Sequence, residues 1–366
     1  MKKRESNYEL LRIVSAIAVI MLHVSGTYKD AITDETVFGY LYQEHMIAAL
    51  LYNTLSRFAV PCFVMLSGAF LLGNDKNSNY KFFYKKCMKN VGIHTLLFSV
   101  LYFLFSESIS CAKIVLRGDE LTELLLPIND LVKGEPYYHM WYLYMILGIY
   151  LLIPMIIDFK KRVGEETFKK ISLFLLPVAT ISGWTSEFVL HWSMAKVICY
   201  VGYLLIGYQI KILCEHNTNN KRGMMLILLG LIIECILTYI QYKCVLVGFV
   251  EENGKYSIVG NFNPLVVIAS ILIFVGFSHI KIHYDLDKVS SCTFYIYLFH
   301  AGVWSILAKI IKESGIERDA RIIIPVSLLV VWGISHLLAI VYKRLWKKIE
   351  KRYSVSEKVL YVLGLN

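Results

Sequence analysis

The chain has 366 residues; 57% are hydrophobic, only 18% are charged, the mean hydropathy is +0.55 and the formal net charge is +10. A soluble domain carries about 25% charged and about 45–50% apolar residues, so this chain holds more apolar side chain than a water-facing surface can hide. A disordered chain, a collagen-like rod and an ordinary soluble enzyme are excluded, which leaves an all-α polytopic membrane protein.

Windows of about 20 mostly apolar residues, the length that crosses about 30 Å of hydrocarbon, give about ten candidate transmembrane helices. In chain order they cover 9–27, 46–72, 91–107, 139–157, 171–190, 195–213, 223–243, 262–280, 290–311 and 322–342. The third is short, and the fifth and sixth lie close together. The first starts on a basic segment but contains Arg12 and His23 and is followed by no small-residue cleavage site, so it is expected to be a retained helix rather than a signal peptide. Residues 108–135 form the longest outer connection, with room for a short interfacial helix.

Basic residues alternate with acidic ones along these connections. Lys2, Lys3 and Arg4 precede the first span; Lys76, Lys81, Lys85, Lys86 and Lys89 follow the second; Lys160, Lys161 and Arg162 follow the fourth. Lys221 with Arg222, then Lys281 with Lys288, and a tail from Lys343 to Arg352 continue the series. The intervening loops carry Asp30, Asp34, Glu35 and Glu44, then Asp119 to Glu135, then Glu251 and Glu252. Cytoplasmic loops collect Lys and Arg, so both termini are expected in the cytoplasm. The positive charge faces anionic lipid headgroups rather than nucleic acid. Residues 1–352 are expected to form one transmembrane domain and 353–366 a short cytoplasmic tail. The eight cysteines show no CxxC pairing, and no metal site is expected.

An ionisable side chain inside a span costs about 2.5–3.5 kcal/mol on insertion scales and marks a functional candidate. Arg12 and His23 share the first span. Eleven residues at about 100° each make three turns and about 20°, so both lie on one helix face about 16 Å apart. Arg12 could instead snorkel to lipid phosphate, and His23 could bond a neighbouring carbonyl. Arg57 in the second span lies within apolar sequence ahead of Pro61, Ser67 and Gly68. It needs an anionic ligand or a carboxylate partner, whereas Pro61, Ser67 and Gly68 read as packing residues. His139 sits among Tyr137, Tyr138, Trp141, Tyr142 and Tyr144, an aromatic belt of the kind found at membrane interfaces. His300 lies near the middle of the ninth span. The remaining histidines, His45, His94, His191, His216, His279, His283 and His336, read as structural. No GxSxG, HExxH or P-loop occurs.

Four segments resemble the acyltransferase 3 family of integral-membrane acyltransferases. The pair Arg12 and His23 matches its leading signature, an Arg and a His separated by ten residues. RFAVPCFVMLSG (57–68) is similar to its second-span segment, YYHMWYL (137–143) to its His-x-Trp segment, and FYIYLFH (294–300) to its late tyrosine–leucine–histidine segment; VGYLLIGYQI (201–210) is similar to a further stretch. The resemblance implies acylation, usually acetylation, of a hydroxyl or amine on an extracytoplasmic glycan or small molecule, with acyl-CoA (acetyl-CoA) as donor and no metal. His23 would be the general base, Arg12 and Arg57 would bind the donor or stabilise its oxyanion, and His139 and His300 would join the pocket as further catalytic candidates. Neither the extra hydrolase-like domain nor the C-terminal racemase of some members is expected. The expected location is a bacterial cytoplasmic membrane. The alternative function is a transporter or flippase of a polar lipid, glycan or amino acid, to which intramembrane Arg and His are equally suited; no matching halves of an inverted repeat accompany it.

Overall fold

The computed structural model of the chain describes residues 5–30, 43–117, 133–186, 196–215, 217–246, 258–314 and 319–365. Among these, every regular element is helical. The long helices, in chain order, are α1 (Ser6–Asp30), α2 (Gln43–Thr54), α3 (Ala59–Leu71), α4 (Tyr80–Cys87), α5 (Ile93–Arg117), α6 (Trp141–Val163), α7 (Glu165–Ser186), α8 (Lys196–Cys214), α9 (Asn220–Leu246) and α10 (Pro264–His279). After the single turn α11 (Asp287–Ser290) come α12 (Thr293–Glu313), α13 (Ala320–Tyr353) and α14 (Val355–Val362). Large apolar side chains stand open on these helices, including Phe174 at 69%, Leu329 at 70% and Leu337 at 67% exposure. Water would penalise such a surface and lipid does not.

Eight stretches of the described residues are long and apolar enough to cross a membrane. The fifth and eighth expected spans also form helices, α7 and the shorter α10, without meeting that length and composition. The third expected span is longer than its apolar window suggested. A continuous helical rod runs from Tyr80 through a π-helical turn at Met88–Gly92 to Arg117. The central part of the 108–135 connection, the place expected for an interfacial helix, lies largely outside the described residues. The tail is partly helical, because Ser354 turns the chain at φ 46° and α14 follows.

The chain divides into two compact units. The first comprises Met1–Ala69 with Tyr203–Leu345, the second Phe70–Gly202 with Trp346–Asn366. In the first unit, α9 and α10 pair antiparallel over most of their length. Gly223 and Gly276 face each other's carbonyl oxygens, and Gly230 faces the Ala269 carbonyl, so that missing side chains let the backbones close up. α3 and α8 meet in the same way. The space a Cβ would fill at Gly68 is taken by the Leu204 carbonyl, and at Gly207 by the Met65 backbone. Gly68 is therefore a packing residue, as its sequence context indicated, and Gly207 from the glycine–aromatic stretch is its counterpart.

In the second unit, α6 ends at Gly164, whose φ of +79° is a left-handed conformation that glycine adopts without steric cost. Four residues earlier, buried Lys160 donates to the Leu72 carbonyl at 3.0 Å and pairs with Glu165 at 3.3 Å. Tyr144 shares a 2.9 Å hydrogen bond with Ser99, Tyr142 is buried, and Trp141 stacks under Lys196 at 4.9 Å. The residues expected to form an interfacial belt thus include several that hold the unit's helices together.

Candidate functional site

The first unit brings three of the sequence candidates together. α1 and α12 run side by side in the same direction, with His23 against His300 and, one turn on, Thr27 against Trp304. The two imidazole rings have centroids 5.3 Å apart and planes inclined by 34°. Trp304 donates from Nε1 to Thr27 Oγ1 at 3.0 Å and packs on Tyr28 at 6.5 Å. A shared direction requires an odd number of crossings between α1 and α12. Given the other spans, α7 and α10 therefore both cross or neither does.

His300 is fully buried, and its Nδ1 lies 2.6 Å from the Tyr297 carbonyl on its own helix. A carbonyl only accepts, so the neutral ring carries its proton on Nδ1 and its lone pair on Nε2. His23 is only partly covered. Arg57 and His300 both lie close enough to act electrostatically on it.

Arg57 is not inside a helix, contrary to its sequence reading. Residues 55–58 form a turn between α2 and α3, closed by tight bonds from Arg57 N–H to Thr54 O at 2.9 Å and from Ala59 N–H to Ser56 O at 3.2 Å. Pro61 causes the interruption. Its ring clashes with the carbonyl four residues back, which is that of Arg57, and it has no N–H to donate. Cys62 is the first residue after it to resume the helical ladder, bonding Phe58 O at 2.9 Å. Across the break, Arg57 Nη2 donates to Asn53 Oδ1 at 2.6 Å. Asn53, itself buried, donates in turn to the Leu22 carbonyl at 3.2 Å and to Ser25 Oγ at 3.3 Å. One side chain therefore ties Arg57 to the residue adjoining His23 on α1.

Two polar groups of this region were missed in the sequence. Asn53 is uncharged, so nothing in the sequence marks it as a residue a bilayer should exclude. Glu234, fully buried on α9, was a lone carboxylate in an apolar span and met the same criterion that singled out Arg57. Neither of its carboxylate oxygens has a hydrogen-bond partner among the described residues.

Arg12 is partly covered and lies on the His23 face of α1, about three turns away. His139 belongs to the second unit. It is buried in the turn that precedes α6, among the rings of Tyr102 at 4.9 Å and Tyr137 and Tyr138 at 5.7 Å each. His94 packs on Trp346 at 4.6 Å and His336 on Trp332 at 6.0 Å, while His45 lies 3.7 Å from Asp319. His191 and His216 lie outside the described residues. The seven cysteines whose side chains are described, Cys244 included, are free thiols. Among the described residues no His, Cys, Asp and Glu cluster could hold a metal ion.

Two neighbouring imidazoles, with a guanidinium close enough to act electrostatically on one of them, form a set able to take a proton from a hydroxyl and to stabilise developing negative charge. Neither the curated proteins nor the solved structures include a match to this chain. The family model described as an acyltransferase domain, that of the acyltransferase 3 family, matches residues 5–342, which takes in α1 with both Arg12 and His23, the Arg57 turn and α12. The chain belongs to the acyltransferase 3 family and is a multi-pass membrane acyltransferase.

Proposed function

We propose that the protein moves an acyl group, acetyl in the simplest case, from cytoplasmic acyl-CoA to a hydroxyl or amine of an extracytoplasmic glycan or small molecule. The observation that carries this reading is the convergence of His23, His300 and Arg57 within a chain of this family. His23 acts as general base on the acceptor O–H. The acceptor oxygen attacks the thioester carbon, and the carbonyl oxygen becomes an oxyanion beside Arg57. Collapse of that intermediate breaks the C–S bond, and the departing CoA thiolate takes up from the His23 imidazolium the proton that came from the acceptor. His300, with Nδ1 anchored on Tyr297, orients the His23 ring. Arg12, nearer the N-terminal end of α1, holds the CoA phosphates. The reaction needs no metal, because proton transfer and charge stabilisation are both supplied by side chains. His139 serves the aromatic packing of the second unit. The setting is a bacterial cytoplasmic membrane, with both termini on the side of the basic loops.

The test is a mass comparison of cell-surface glycans and small molecules with and without the gene, alongside transfer of label from acetyl-CoA in native membranes. An acetyl increment that depends on the gene is expected. Counterflow of a labelled solute in proteoliposomes, with no acyl product, would favour transport instead.

A further inference from the structure

The chain continues past residue 342, where the family match stops, and the continuation is folded. α13 has 34 residues, about 51 Å of helix, whereas about 30 Å crosses the hydrocarbon. Its apolar run gives out near Val341, and five basic residues against two acidic ones stand between 347 and 358. Ser354, at φ 46° and ψ 45°, ends α13, and α14 starts at once. The Glu350 carboxylate accepts from the Ser356 N–H at 3.1 and 3.2 Å, which fixes this elbow.

Two contacts within the second unit set the depth of the elbow. Trp346 packs on His94 at 4.6 Å, and α14 rests on the π-helical turn Met88–Gly92. That turn precedes Ile93 and carries Lys89, so it stands where the apolar part of the rod gives way to its basic part. Such a border marks the edge of the hydrocarbon, the level that Trp also favours. α14 is therefore held at the headgroup level rather than out in water.

The side chains of α14 suit that level. At about 100° per residue, Ser356 and Leu360 share one face, and both are buried against the unit. Val355, Val359 and Val362 share a second face, on which Val362 is 82% exposed. Lys358 borders this face on one side and the exposed Leu363 on the other, while Glu357 lies opposite. Tyr361, 75% exposed, stands next to Lys358 around the axis. Water would penalise open valine and leucine, whereas the boundary between headgroups and acyl chains accepts them beside lysine and tyrosine.

We infer that the elbow from Trp346 to Leu363 is a docking surface for anionic lipid in the leaflet on the side of the basic loops. The valine face of α14 meets the upper acyl chains, and Lys347, Lys348, Lys351, Arg352 and Lys358 meet headgroup phosphates. The apolar face is small, so the basic residues decide between lipids: a net negative headgroup layer attracts them and a zwitterionic one does not. The surface is separate from the acyl-transfer site and does not depend on the reaction proposed for it.

The experiment is amide hydrogen exchange of the full chain in nanodiscs of phosphatidylcholine alone and of equal parts phosphatidylcholine and phosphatidylglycerol. The amides of 355–363 are expected to exchange on the order of 10-fold more slowly in the anionic discs, with those of α9 unchanged as a reference. The difference should disappear in Val362→Glu and in the triple variant Lys351→Gln/Arg352→Gln/Lys358→Gln. Equal exchange in the two lipids overturns the inference, as does a lipid difference that survives in the triple variant. Protection that is independent of lipid and rises with protein concentration in detergent would assign the face to a second copy of the chain and overturn it too. If Val362→Glu does not accumulate, the triple variant, which alters only exposed charges, still decides.

Discussion

The imidazoles of His23 and His300 lie 5.3 Å apart, centroid to centroid, on two helices that run in the same direction. The residues are 277 positions apart in sequence, and the two motifs that contain them meet only because α12 returns to α1. His300 is held by the Tyr297 carbonyl through Nδ1, which fixes both the ring and its tautomer. Replacing His300 with Phe keeps a ring against His23 and removes both nitrogens. The rate of acyl transfer should fall by about 10- to 100-fold for Phe as for Ala, since a small misplacement of the base that His300 orients costs about that much. Rates measured on equal amounts of membrane-resident protein check this, and a Phe variant near wild-type rate would reduce His300 to a packing residue.

Asn53 provides a sharper test of how Arg57 is held. Asn53→Ala removes the acceptor for Nη2 and the donor to Leu22 and Ser25. Buried hydrogen-bonding groups left unsatisfied cost about 1–3 kcal/mol each, so both the unfolding temperature and the rate should drop. Asn53→Asp keeps the Arg57 contact but sets a carboxylate oxygen against the Leu22 carbonyl, two acceptors face to face. It should retain more stability than Ala, through the ion pair, and still lose rate. Thermal unfolding and initial rates of the two variants distinguish the contributions.

The close helix crossings make a prediction about three glycines. A Cβ at Gly68 would overlap the Leu204 carbonyl, and one at Gly207 the Met65 backbone, whereas at Gly333 on α13 it would meet nothing within 4 Å. Gly68→Ala and Gly207→Ala should therefore strongly destabilise the protein or prevent its accumulation, because backbone cannot yield as a side-chain end can. Gly333→Ala should be neutral or stabilising by about 0.5–1 kcal/mol, the ordinary gain from replacing glycine within a helix. Yields and unfolding temperatures in one detergent compare all three.

His139 is enclosed by tyrosine rings, with Tyr102 and Tyr137 stacked at 4.7 Å beside it. If its role is packing, His139→Phe should keep the rate per folded molecule, with the unfolding temperature changed by no more than an aromatic swap in a tight site implies. A normal unfolding temperature with a collapsed rate would instead assign His139 to the chemistry.

Much of this architecture was legible from apolar run length and the placement of Lys and Arg, because lipid thickness and headgroup charge act on the sequence directly. His23 and Arg57 were visible as ionisable groups that a bilayer should exclude. Glu234 meets the same criterion but belongs to none of the segments that resemble the family. The turn at 55–58 was foreshadowed by Pro61, but a proline can kink a helix or end it, and neighbouring packing decides which. The extension of α5 to Arg117 was hidden because polar residues such as Ser106, Glu107 and Ser108 continue a helix beyond the apolar window without continuing its hydropathy. Asn53 carried no signal at all, being neutral and meaningful only once Leu22 and Arg57 stand on either side of it.

The most direct test of the account is the initial rate of acetyl transfer from labelled acetyl-CoA in native membranes carrying His23→Ala, with the variant's membrane content and unfolding temperature measured in parallel. The account predicts a folded, membrane-resident protein whose transfer rate is lower by about 10²–10⁴-fold, the contribution of a general base. Transfer at the wild-type rate by that variant would contradict it.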